Sequence, residues 1–188
     1  MKEAKSFQLF LSALLPALAI LALFVLPVVA ADDESDTLVR FKGGIGVIPV
    51  TSGQGTGATA TTVNRNIVRG VQPAGQIWVI NDLDARVRKD GKIKVEGEGL
   101  ILGGGNNVGR ATGQRVFATL ICEAAAPFTE RNTNTAGVPL AANGDFEIDD
   151  VLTPAPPANC ASPMLLIRNS DGLVWFAAGI PASDDDDD

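Results

Sequence analysis

The chain has no histidine and no tyrosine, and only two cysteines and two tryptophans in 188 residues. Without histidine there is no Ser-His-Asp or Cys-His nucleophile system, no histidine-bound zinc or copper, and no haem on a proximal histidine. Carboxylate chemistry, serine–lysine pairs and oxygen-ligand cations such as calcium remain. Helical periodicity is also missing: beyond residue 31 no stretch sustains it for three turns. Basic charge is scarce, 15 Lys and Arg against 22 Asp and Glu. Nucleic acid is therefore not expected as a partner, since phosphate binding needs a dominant cationic surface.

Residues 1–31 break this polar balance. Lys2 and Lys5 precede an apolar run from Phe7 to Val29. Val28, Val29, Ala30 and Ala31 then stand before an abrupt acidic stretch, Asp32-Asp33-Glu34. A basic start, an apolar centre and small residues are the order of a signal peptide, with cleavage after Ala30 or Ala31. The alternative is an uncleaved membrane anchor, since the run approaches the length of a span although Pro16 and Pro27 interrupt it. The expected address is secreted, extracellular or in the cell envelope of a bacterium or archaeon. Membrane contact is expected only through this N-terminal segment, if it stays uncleaved.

The leader holds Lys2, Lys5 and Glu3, which leaves 13 basic and 21 acidic residues in the mature chain, a net charge of −8. That charge favours solubility and repulsion between copies. In an exported chain, Cys122 and Cys160 are expected to form one disulfide rather than two buried thiols. Closing that loop stabilises by about 4 kcal/mol on the chain-entropy account.

Residues 32–38 read as a loose acidic segment, residues 39–182 as a single domain with a flexible Gly/Thr/Ser/Ala loop at 51–62, and residues 183–188 as an acidic tail. Val39 to Val50 reads as an opening strand in which Gly43, Gly44 and Gly46 allow bends. From Asn64 onward, short β-branched and aliphatic runs alternate with turn signals. That spacing belongs to an antiparallel sandwich or barrel, and the expected fold class is an all-β Greek-key β-sandwich of immunoglobulin or prealbumin type behind a signal helix. Around Asp90-Gly91 a three-residue loop, Lys89-Asp90-Gly91, pairs Val87 with Ile93 and Ala85 with Val95, which puts every apolar residue on one face. Further hairpins are expected at Asn143-Gly144 and at Asn169 to Gly172. The runs Met164 to Ile167 and Val174 to Ala178 are apolar on both faces, which places them centrally. Trp78 and Trp175 are expected in the core.

From Arg115 to Pro181 the chain resembles prealbumin-like modules, as in carboxypeptidase regulatory domains. The residues that carry this are Val116 to Leu120, Gly137-Val138, Asn143-Gly144-Asp145-Phe146-Glu147-Ile148 and Leu165-Leu166-Ile167-Arg168. The resemblance implies a seven-stranded Greek-key sandwich with a binding or structural role, and carries over no catalytic residue.

Three constellations bear on function. The run Gly103-Gly104-Gly105-Asn106-Asn107 lacks the glycine spacing, the lysine and the following helix of a phosphate loop, and reads as a tight β connection. On the outer face of the Asp90-Gly91 hairpin, Asp84 lies opposite Glu96 and Asp82 opposite Glu98. Like charges facing each other need an offset, so Asp82, Asp84, Glu96 and Glu98 are candidate calcium ligands, with a solvated polar face as the plainer reading. Asp145, Glu147, Asp149 and Asp150 alternate along one strand and would serve the rival reading, a small carboxylate-dependent hydrolase acting on extracellular polysaccharide. The expected function is non-enzymatic: an exported binding or structural module with no cofactor unless calcium, meeting an envelope polymer or protein, its oligomeric state left open.

Overall fold

The computed structural model describes residues 34–52 and 63–182. The expected signal peptide, most of the glycine-rich loop and the acidic tail lie outside the described residues. After a 3-10 turn at Glu34–Asp36 come the strands β1 (Thr37–Gly46), β2 (Val50–Ser52), β3 (Val63–Arg65), β4 (Trp78–Val79), β5 (Asp82–Arg88), β6 (Lys92–Glu98) and β7 (Ile101–Leu102). They are followed by β8 (Arg115–Ile121), β9 (Arg131–Asn132), β10 (Val138–Pro139), β11 (Phe146–Val151), β12 (Met164–Asn169) and β13 (Trp175–Pro181). The described fold is all-β, and its strand pairs are antiparallel. Thr37 and Leu38 belong to the first strand.

A Greek-key sandwich would place its strands in two separate facing sheets. The structure instead joins the main strands into one nine-stranded sheet, β10-β8-β12-β13-β1-β5-β6-β11 with β9 on β8, which curls into a nearly closed, barrel-like wall. Strand β1 is the physical reason. Its first half pairs with β5 and its second half with β13, so it joins two walls that would otherwise be distinct. It turns that corner at a register shift between Phe41 and Gly44, where Gly43 has φ +83°, a conformation that glycine enters at little cost. Gly46 lies so close under β4 that an added Cβ would stand 2.1 Å from the Trp78 carbonyl oxygen.

Taken around the wall, β1, β5, β6 and β11 run up to a seam, and β8, β12 and β13 lead back to β1. The order departs from a simple meander only in that β8 and β11 are exchanged. Beyond β11, Thr153 pairs with Asn132 of β9, which bridges the seam near one end.

Alternation explains which face is inside. Leu83, Ala85 and Val87 of β5, Ile93 and Val95 of β6, and Phe146 and Ile148 of β11 are buried, while the residues between them face outward. Each large aliphatic side chain so buried contributes about 1.5–3 kcal/mol. Val87 pairs with Ile93 and Ala85 with Val95, so the expected register of the β5–β6 hairpin is the observed one, with Gly91 at φ +88°. Strands β12 and β13 sit inside the sheet and are buried over most of their length, as their doubly apolar runs require. The hairpin expected at Asn143-Gly144 divides differently. The turn forms, with Gly144 N donating to the Ala141 carbonyl, yet β10 pairs with β8 and β11 with β6.

Candidate functional site

The register builds an exposed charged face across four strands. One row reads Arg40, Arg86, Lys94 and Asp149 across β1, β5, β6 and β11; the next reads Lys42, Asp84, Glu96 and Glu147. Above the first row, Arg88 and Lys92 flank the hairpin loop; below the second, Asp82 stands opposite Glu98. The face is therefore graded, cationic toward the Asp90-Gly91 loop and anionic toward the other end. Strand alternation puts these side chains outside because their neighbours Phe41, Ala85, Val87, Ile93, Val95 and Ile148 fill the core.

Lys94 holds the junction of the two bands. Its amine lies 2.6 Å from Glu96 and 3.6 Å from Glu147. The hydrogen bond and charge of Glu96, then the charge of Glu147, raise its pKa above the ordinary lysine value. At the loop, Asp90 accepts the backbone N–H of Lys92 at 3.1 Å and has Lys92 and Arg88 nearby, which together hold its carboxyl below the usual range. Arg86 donates from Nε to Thr37 Oγ1 at 2.8 Å, and Arg88 meets Asp36 at 3.1 Å.

The four calcium candidates occupy the expected register, Asp82 opposite Glu98 and Asp84 opposite Glu96. They do not converge: among the described residues no group of three or more His, Cys, Asp or Glu could hold a metal ion. Glu96 is drawn to Lys94, and Asp82 Oδ1 accepts the N–H of Leu83 at 2.8 Å. Of the second carboxylate set, Asp145 fastens a turn, accepting Gly99 N at 3.0 Å and Asn143 Nδ2 at 2.6 Å. Asp150 accepts Asn134 N at 2.7 Å across the seam and Val151 N at 2.8 Å. Glu147 serves Lys94, and Asp149 ends the cationic row. Asp149 and Asp150 line a seam recess of about 170 Å³ together with Asn134 and Ile148.

A second surface lies between the β2–β3 ribbon and the β4–β7 ribbon. It is a groove of about 430 Å³ whose lining includes Ile48, Val50, Ile77, Gly104, Gly105 and one cation, Arg65. Ile48 is 59% exposed and Ile77 43%. Trp78 turns the other way, stacked on Phe176 with centroids 4.0 Å apart, and Trp175 is buried with Nε1 donating to the Asn66 carbonyl. The glycine run follows β7 as a tight connection, with Gly109 N donating to the Leu102 carbonyl.

Cys122 and Cys160 are joined by a disulfide. Beside it, Arg69 donates to the carbonyls of Ile121 at 2.9 Å and Ser162 at 2.6 Å, tying a distant turn to the bridge. Arg131 meets Glu123 at 2.8 Å; that hydrogen bond holds the Glu123 carboxyl down at about 2. The side chain of Arg168, 6% exposed, reaches Glu130 at 2.6 Å and the Leu173 carbonyl at 2.7 Å, with its guanidinium 5.2 Å from the centre of the Phe117 ring. Arg69 and Arg131 carried no signal in the sequence, and Arg168 entered only as the end of the Leu165 to Arg168 run, because nothing local names the partners of these three arginines.

No protein-family model, curated protein or solved structure matches this chain.

Proposed function

We propose that the protein is an exported, non-enzymatic binding module, secreted or held in the cell envelope, that meets a charged envelope polymer through the graded face on β1, β5, β6 and β11. The observation that carries this reading is the register that sets Arg40, Arg86 and Lys94 side by side on a rigid wall. Cations held at fixed spacing on one wall, beside a row of carboxylates, offer a charged polymer a complementary surface. Of the carboxylates that a hydrolase would use, Asp145 is engaged in a turn, Asp150 in the seam and Glu147 with Lys94. The Cys122–Cys160 disulfide is compatible with an address outside the cell. The sandwich named from the sequence enters here as the two halves of the curled wall, which face each other across one core.

The test is association of the mature chain with the organism's own envelope polysaccharide at 50 and 500 mM NaCl. Binding at low salt, lost at high salt and in the Arg40→Gln/Arg86→Gln/Lys94→Gln variant, is the expected result. Binding that ignores both salt and the variant would remove the face from the reading, and no association at any salt would end the reading itself.

A further inference from the structure

We propose that the groove between the β2–β3 and β4–β7 ribbons is a second binding site, and that it takes a single-chain aliphatic carboxylate of the fatty-acid class. It shares no residue with the charged face, so it stands or falls apart from the envelope-polymer reading.

Both walls are preformed. Asn66 fixes one: its backbone N–H donates to the Pro49 carbonyl and its Nδ2 to the Ile48 carbonyl, each at 3.0 Å. The other follows β4, where Trp78 N donates to the Val47 carbonyl at 3.1 Å and Gly103 N to the Ile77 carbonyl at 2.9 Å. The groove between them holds about 430 Å³, inside the range of roughly 300–1,000 Å³ for small-molecule sites. Gly75 and Gly104 line it, and an added Cβ at either would meet nothing within 4 Å, so these positions leave the space open.

The lining selects the ligand. Ile48, Val50 and Ile77 are branched aliphatic side chains exposed at 59%, 38% and 43%, and an alkyl chain laid along them takes that surface out of water. Among the described residues no aromatic ring lines the groove, so nothing there stacks a planar ligand. Arg65 is the one charged side chain of the lining. Its Nη2 donates to the Pro73 carbonyl at 2.9 Å, which anchors the guanidinium, and among the described residues it meets no carboxylate. A guanidinium fixed in this way has N–H groups left for a planar carboxylate. A single cation in a chain of net charge −7 matches a single negative charge, whereas a phosphate monoester brings about −1.5 to −2. The occupant is therefore a monoanion with an aliphatic tail.

Amide shifts of the full chain, followed by NMR while decanoate is added below its micelle concentration, test this. The expected shifts centre on Ile48, Ile77 and Gly104, and affinity rises from octanoate to decanoate by about two- to fourfold per methylene. Arg65→Gln, or decanol in place of decanoate, weakens binding by about three- to tenfold. Gly104→Val fills the groove and abolishes the shifts; neither Gly104 nor Gly75 has a positive φ, so the added side chain strains no backbone. A thermal melt checks the fold, and where it drops by more than a few degrees Gly75→Val takes the place of Gly104→Val. No shifts in the groove, equal binding of decanoate, decanol and decyltrimethylammonium, or affinity indifferent to both variants would each overturn the site. Decyl phosphate binding more tightly than decanoate would overturn the carboxylate. A dimer in sedimentation that Gly104→Val dissolves would give the groove to a second copy of the chain and overturn the ligand.

Discussion

Asn132 and Thr153 exchange two backbone hydrogen bonds, 2.9 and 2.8 Å long, across the seam between β8 and β11. Asn132 also stands opposite Thr119 of β8, where Thr119 Oγ1 donates to Asn132 Oδ1 at 2.6 Å. One residue therefore links the two margins of the sheet, and together with the Asn134 N–H donated to Asp150 it closes the barrel-like wall at that end.

Asn132→Pro removes the N–H that the Thr153 carbonyl accepts and is expected to destabilise by about 1–3 kcal/mol, the cost of leaving that acceptor unmet. Amide exchange should rise first at Thr153 and along the outer edge of β11. Unchanged protection there would mean that the seam is held elsewhere.

The disulfide joins the end of β8 to the loop before β12, 38 residues apart. The Cys122→Ser/Cys160→Ser pair is expected to lose about 2–5 kcal/mol, read as a lower urea midpoint, with the β-sheet spectrum retained at low temperature. Equal midpoints for the pair and the parent would contradict this.

The Glu123–Arg131 pair sets an acid limit. The hydrogen bond from Arg131 lowers the Glu123 pKa from 4.5 to about 2, so its stabilisation is complete above 4.5 and is lost as the pH falls through that window. The denaturation midpoint of the parent should drop between pH 4.5 and 2 more steeply than that of Glu123→Gln. Parallel curves for the two proteins would show that this carboxylate does not contribute to the acid limb.

Two glycines separate backbone contact from open space. Gly46→Ala places a Cβ 2.1 Å from the Trp78 carbonyl oxygen and 2.7 Å from the Cα of Val79, so backbone must move, at a cost of about 2 kcal/mol or more. Gly104→Ala meets nothing within 4 Å and should change stability by less than about 0.5 kcal/mol. Thermal melts of the two variants check both statements, and a shifted Trp78 emission is expected only for Gly46→Ala.

Much of the local structure was legible in the residues. Alternation within Leu83 to Val95 specified the β5–β6 register, because a one-residue slip would have exposed every apolar side chain of the hairpin. Doubly apolar runs placed β12 and β13 inside the sheet, since a strand that buries both faces needs cover on both. Two cysteines, read together with an expected export leader, were enough to expect the disulfide. The candidate site was legible in half: the hairpin column Asp82 to Glu98 could be read, whereas its neighbours Arg40, Lys42, Glu147 and Asp149 could not. Residues 40 and 86 are far apart in the chain, and nothing local says that β1 will lie beside β5.

By itself the sequence determined most of the main strands, their inward and outward faces and the turns between them, because side-chain period and turn chemistry act over a few residues. Which strands became neighbours was left to the tertiary structure. It curled one sheet where two were expected, sent β10 to β8 and β11 to β6, and set three cations abreast. Backbone edges are chemically alike along every strand, so partner choice is made only when the whole core closes and the glycine corner of β1 decides which walls can meet.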